Sequence, residues 1–332
     1  MSDLNEIGVY SEWGKLKEVV VGIVPNRIII PKVSYSIAKY SKPEVLKLIR
    51  KHQGKNAWDI VPKEMESTRQ QLEQLCEVYQ SHGIKVHRAR AWTETEEAFL
   101  SSIQSGGFPL FCRDPVLVVG KNVIELSIMT PVRRKEIFAI REVLQSRITE
   151  DPSAQYVSMP QALPCPITKT APEGPGPFLE GGDIFVMGQD ILVGHSGLAS
   201  NTLGIEWLRR YLNPQGYRIH EVPLTGNWLH LDCVLAVIRE GLAIAHLPAF
   251  PKGLPKLIDD WKIIEASHEE AHGLGCNTLC LEENKVFIGA EHKRIIEALE
   301  KEQVELIPVD MNQISKWGGG IRCATHPLRR EE

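Results

Sequence analysis

Val116–Leu126 reads VLVVGKNVIEL, two short apolar runs separated by Gly120-Lys121-Asn122. Runs of this length, rich in β-branched residues and flanking a polar turn with glycine, predict an antiparallel hairpin. The pattern returns at Ile184–Gly194 (IFVMGQDILVG), Val234–Ala245 (VLAVIREGLAIA) and Thr278–Gly289 (TLCLEENKVFIG). Near-continuous apolar strands imply burial on both faces. Recurrence of one unit that cannot bury its own apolar faces implies modules packed around a shared centre.

Three of the hairpins lead into helical patterns, at 136–144, 203–212 and 293–303, and the last two helices continue into apolar runs at 217–222 and 304–309. The repeating unit is therefore ββαβ. Another copy is expected near the N-terminus, from Leu16–Val21, a helix over Lys63–His82 and a strand at Ile84–Arg88. Within it, residues 25–62 form an insertion that reads as a tolerated loop rather than a lid. No low-complexity linker interrupts the chain, so residues 1–332 are expected to form a single domain.

Composition narrows the function. The 332 residues are 43% hydrophobic and 24% charged, with a formal net charge of −4, the balance of a globular protein. No block of Lys and Arg tracks phosphates, so neither nucleic acid nor an anionic membrane is expected as a partner. Met1–Val9 is polar and no apolar run is long enough to span a bilayer, so a cytoplasmic location is expected. A small ligand is the expected partner; homo-oligomerisation stays open.

The seven cysteines, including Cys165, are scattered without disulfide-scaffold spacing. His268, His272, Cys276 and Cys280 fall every four residues, which on one helix would align zinc ligands. Gly273 and Gly275 interrupt that helix, and along a strand the two cysteines would stand about 13 Å apart, too far for one ion. No metal and no cofactor are expected.

Polar residues flank the hairpins in a consistent way. Arg113-Asp114 precedes the first, Glu180-Gly181-Gly182-Asp183 the second and His230-Leu231-Asp232 the third, while Gly318-Gly319-Gly320-Ile321-Arg322-Cys323 closes the chain. Taken singly, these are a turn, a tight loop, a structural histidine and a small core residue. Taken together, they suit a planar cation such as guanidinium. Paired carboxylates from Asp114 and Asp232 fix its plane, and the Cys323 thiolate, favoured by the bound cation, attacks its carbon. His230, held by Glu180, serves as general acid and then as base.

These motifs resemble the guanidino-group-modifying superfamily, the penteins, over nearly the whole chain from Tyr10. The resemblance implies a five-module pseudo-symmetric α/β propeller and a covalent intermediate on Cys323. It implies His230 as acid and base with Glu180 as its partner, and Asp114 and Asp232 as the guanidinium clamp. Arg113, Asn201 and Arg322 are candidates for contacting the far end of the substrate, and Asp183 for support behind the site. Arg133–Glu136 and Asn201–Leu208 look like the amidinotransferases, whereas Gly181-Gly182 looks like the hydrolases, where transferases tend to have two alanines; Arg322 likewise departs from the transferase pattern. The expectation is a cysteine-dependent hydrolase of arginine or an N-substituted arginine. Amidino transfer to an acceptor amine is the alternative, and a non-catalytic binding module a third reading. An amide or ester hydrolase is disfavoured, because two extra acids would repel an oxyanion.

Overall fold

The computed structural model describes residues 6–102, 107–162, 175–225 and 228–332; Cys165 lies outside them. The chain enters with β1 (Lys15–Val21), followed by the insertion, which is helical: α1 (Tyr35–Tyr40), α2 (Pro43–His52) and α3 (Ala57–Ile60). Ser34 caps α1 and Asn56 caps α3, each accepting a backbone N–H. Next come α4 (Pro62–Ser81), β2 (Lys85–Arg88) and α5 (Glu94–Ser102).

Three modules then follow the hairpin, helix, strand order of the sequence reading. The first has β3 (Val116–Val119), β4 (Asn122–Glu125), α6 (Phe138–Glu150) and β5 (Gln155–Ser158). The second has β6 (Ile184–Met187), β7 (Asp190–His195), α7 (Thr202–Leu212) and β8 (Arg218–Pro223). Between them in chain order and the last such module, β9 (Leu235–Arg239), β10 (Leu242–Ala245) and β11 (Lys262–Glu265) are joined without an α-helix before β11. After α8 (His268–His272), the last hairpin module has β12 (Leu279–Glu282), β13 (Lys285–Gly289), α9 (Lys293–Lys301) and β14 (Glu305–Val309).

The N-terminal unit, with β1 and β2, takes its third strand from the far end of the chain. β15 (Thr325–Glu331) pairs antiparallel with β1, and β1 pairs parallel with β2. The result is five three-stranded sheets, β15-β1-β2, β3-β4-β5, β6-β7-β8, β9-β10-β11 and β12-β13-β14. In each, the entry strand is antiparallel to the middle strand and the middle strand is parallel to the third.

The hairpin strands are buried on both faces, as their unbroken apolar runs require: β3, β4, β6 and β10 are buried throughout. Shared cores join the sheets. Leu117, Ile124, Ile184 and Ile191 pack in one cluster across two modules, and Ala236, Ile244, Val286 and Ile288 do so across another two. The insertion corrects the reading of residues 25–62 as a mere loop, because Ile28, Ile30 and Ala57 belong to the core cluster that also holds Cys323. Of the cysteines in the four-residue series, Cys280 is engaged by backbone: its thiol donates to Val237 O at 3.1 Å and to Ile238 O at 3.3 Å.

Candidate active site

Directly ahead of each entry strand the chain presents a polar residue, and these residues converge. Asp114 precedes β3, Glu180 precedes β6, His230 and Asp232 precede β9, Asn277 precedes β12 and Cys323 precedes β15. All six are buried, with at most 4% of their surface exposed.

His230 stands at the centre. Its Nε2 hydrogen-bonds Glu180 Oε2 at 2.9 Å, and its Nδ1 lies 3.7 Å from Asp114 Oδ1. Glu180 is itself fixed, its Oε1 accepting the Met129 N–H at 3.0 Å. Burial opposes charge on the imidazole, but Asp114, Glu180 and Asp183 outweigh it and push its pKa up to about 10. His230 is therefore an imidazolium at neutral pH. Gly182 makes room for it, since a Cβ there would stand 2.6 Å from His230 Nδ1 and 2.9 Å from Asp114 Oδ1.

The Cys323 thiol lies 3.7 Å from Asp232 Oδ2. Burial pushes its pKa well above the usual thiol value, and Asp232 and Asp114 add to the effect. Asn277 grips this residue from both sides: its Nδ2 donates to Cys323 Sγ at 3.1 Å and its Oδ1 accepts the Cys323 N–H at 3.1 Å. The glycine run serves this grip, because a Cβ on Gly320 would meet Asn277 Oδ1 at 2.8 Å. The Cys323 carbonyl accepts the Arg113 N–H at 3.1 Å, tying the first hairpin module to the last segment.

Asn277 is not among the candidates that the sequence supplies; it stands immediately before the hairpin read at Thr278–Gly289. The available signal was its position: it occupies the fourth hairpin's counterpart of the place that holds Asp114, Glu180 and His230 in the others.

Both expected clamp carboxylates already have internal partners. Asp114 Oδ2 accepts from Arg133 Nη2 at 2.9 Å, and Asp232 Oδ2 accepts from Arg322 Nη1 at 3.1 Å. Arg133 also pairs with Glu136 at 2.7 Å and lies 3.8 Å from Glu180. Burial pushes the Glu136 pKa up to about 7 despite Arg133.

The three residues named for the far end of a substrate sit away from the cavity. Arg322 is buried, donates to Ile184 O at 2.6 Å, pairs with Glu12 at 3.2 Å and stacks its guanidinium 4.0 Å from the Phe185 ring centre. Arg113 lies 3.5 Å from the same Glu12. Asn201 caps α7, its Oδ1 accepting from Gly204 N and its Nδ2 donating to Gly176 O. Asp183 does stand behind the site, accepting from Ser200 Oγ at 2.6 Å and from Leu231 N at 2.9 Å; burial pushes its pKa up to about 7.

Asp114, Glu180 and His230 bring three possible ligand atoms within 4.8 Å of one another. Arg133 and the His230 imidazolium already supply positive charge there, so the set suits an ion-pair network better than a divalent metal.

A cavity of about 860 Å³ opens onto Cys323, His230, Asp114, Arg133 and Cys233. The insertion supplies one wall, including Ile28, Ile30, Ile37 and Tyr40. The site thus offers a thiol, a protonated imidazole and a carboxylate at the end of one cavity. No helix among the described residues is long and apolar enough to cross a membrane.

Similarity to known proteins agrees with this arrangement. Glycine amidinotransferase, mitochondrial, of Xenopus laevis is 26% identical over 97% of this chain and 82% of its own length. An amidinotransferase from the saxitoxin biosynthetic pathway of Microseira wollei superposes with a TM-score of 0.80 at 24% identity, covering 98% of each chain. A dimethylarginine dimethylaminohydrolase from Pseudomonas aeruginosa, complexed with citrulline, superposes with a TM-score of 0.65 at 17% identity, covering 94% of this chain and 99% of its own. The family model described as N,N dimethylarginine dimethylhydrolase, eukaryotic, matches residues 50–330, and the chain belongs to that family within the pentein superfamily.

Proposed function

We propose that this protein is a cysteine-dependent hydrolase of a guanidino compound, acting through a covalent adduct on Cys323. The observation that carries the reading is the convergence of the Cys323 thiol, the His230–Glu180 pair and the carboxylates Asp114 and Asp232 from separate modules. On the same reading the chain is one catalytic domain, its five sheets standing around a common axis as a pseudo-symmetric propeller.

In the free enzyme both the thiol and the imidazole hold their protons. A guanidinium entering beside Asp114 and Asp232 brings a positive charge that stabilises the thiolate, and the thiol proton leaves to solvent, to be regained from solvent when the product departs. Sulfur attacks the guanidinium carbon. As the C–N bond breaks, the His230 imidazolium protonates the departing nitrogen, leaving an amidino group on sulfur. Water then adds to that carbon while neutral His230 takes its proton, and the C–S bond breaks to return the thiolate and release a urea-type product. The Gly181-Gly182 pair, hydrolase-like in sequence, supports this choice, because the space beside Gly182 is where His230 sits.

Amidino transfer is the second reading. The full-length likeness to named amidinotransferases favours it, as does a cavity with room for an acceptor amine. Intact-protein mass spectrometry after incubation with arginine, methylated arginines and agmatine tests the adduct, with Cys323→Ser as the control. Ammonia or amine release in water alone supports hydrolysis. Release that requires a second amine replaces it with transfer.

A further inference from the structure

The cavity is much larger than a guanidino group requires. Its volume of about 860 Å³ lies towards the upper end of the range for drug-sized ligands, roughly 300–1,000 Å³. Beyond the catalytic end the lining is predominantly apolar and includes Ile30, Ile37 and Leu48 of the insertion together with Phe108 and Trp317 from elsewhere in the chain. The aromatic wall is braced. Phe108 and Trp317 meet edge-on with centres 5.8 Å apart, and Trp317 Nε1 donates to Thr68 Oγ1 at 2.9 Å.

Anions are poorly provided for along these walls. Among the described residues, the Lys and Arg side chains lining the cavity are Arg27, Lys32 and Arg133. Arg133 is engaged by Asp114 and Glu136, Arg27 lies 3.7 Å from Glu97, and Lys32 is exposed. An α-carboxylate drawn along the apolar walls would lose its hydration with the exposed Lys32 as the one lining Lys or Arg, among the described residues, that is not already beside a carboxylate. A hydrocarbon chain in the same place would gain by leaving water.

We propose that the substrate is a guanidine bearing an apolar tail, an N-alkyl or N-arylalkyl guanidine, whose tail lies between α1–α2 and the Phe108–Trp317 wall. The assignment deepens the guanidino-modifying reading and rests on it for the catalytic end. The wall residues Ile30, Ile37 and Leu48 lie outside the stretch matched by the family model, which begins at residue 50, whereas Phe108 and Trp317 lie within it.

Calorimetry on the Cys323→Ser protein, which binds without turnover, tests it with butyl-, hexyl- and phenethylguanidine against arginine and agmatine. Affinity should rise about fourfold per methylene from butyl to hexyl, the equivalent of about 0.8 kcal/mol, and hexylguanidine should bind at least tenfold more tightly than arginine. Leu48→Lys, on a helix with no fully buried residue, should remove most of the hexyl advantage while leaving methylguanidine binding unchanged. A flat alkyl series, or arginine binding as tightly as hexylguanidine, overturns the proposal. The two readings separate cleanly. Tight hexylguanidine binding without any adduct on wild-type Cys323 keeps the tail pocket and removes the catalytic reading; adducts formed with arginine as the best ligand do the reverse.

Discussion

Arg133 Nη2 donates to Asp114 Oδ2 at 2.9 Å, so a guanidinium belonging to the protein itself stands on a carboxylate that the sequence assigns to a substrate guanidinium. The contact is buried and charge-assisted, and a substrate that uses the same oxygen must compete with it. Replacing Arg133 by Gln should therefore lower KM for a guanidino substrate about tenfold, on the scale of one hydrogen bond to a charged group, roughly 1.5–3 kcal/mol. Steady-state kinetics on protein shown to be folded by circular dichroism measures this. A higher KM would mean instead that Arg133 orients Asp114 for the substrate.

Cys323 is a protonated thiol in the free protein because burial and the nearby Asp232 and Asp114 oppose a thiolate. Adding a guanidinium ligand at pH 7.5 should raise thiolate absorbance near 240 nm in wild type and leave Cys323→Ser unchanged. An equal thiolate signal before ligand addition would contradict substrate-assisted activation.

Asn277 donates to the Cys323 sulfur and accepts from its backbone N–H. Asn277→Ala should reduce kcat by about ten- to a hundredfold, the scale of a lost positioning interaction near reacting atoms. The pH profile should also move, because a sulfur without its donor holds its proton more firmly. A variant with unchanged kcat and profile would assign Asn277 to loop structure alone.

Gly182→Ala places a methyl group where a Cβ would stand 2.6 Å from His230 Nδ1. Displacement of the imidazole should cost at least about a hundredfold in kcat, and because the same Cβ would stand 2.9 Å from Asp114 Oδ1, substrate binding to the Cys323→Ser background should weaken as well. Wild-type turnover in Gly182→Ala would show that His230 has slack the geometry does not suggest.

His230 also links stability to pH. Its pKa is pushed up to about 10 in the folded protein, against about 6.5 for an unperturbed histidine. A raised pKa of this kind stabilises the fold fully below pH 6.5, and the stabilisation fades as pH rises through 10. The Tm difference between wild type and His230→Gln should therefore narrow between pH 6.5 and pH 10. A gap that stays flat over that interval would mean that the imidazole is buried neutral.

The hairpin modules could be read from the sequence because both strands of each hairpin lie close together in the chain and are apolar almost throughout. Thr325–Glu331 gave no such sign. It has no turn joining it to a partner, its arginines break the apolar pattern, and its partner β1 is at the other end of the chain. Asp114, Glu180, His230, Asp232 and Cys323 were legible as a set because each sits beside a recognisable hairpin. Asn277 has the same placement but a side chain common in turns.

By itself the sequence determined the module, its repetition and the chemical types gathered at the entry strands, since these depend on local periodicity and on residue identity. Tertiary structure alone decided what those side chains meet. It paired Asp114 with Arg133 and Asp232 with Arg322, turned Arg113, Arg322 and Asn201 away from the cavity, and laid residues 25–62 along its wall. The physical reason is that ion pairing and wall packing depend on distances of a few ångströms between segments far apart in the chain, which no local pattern encodes.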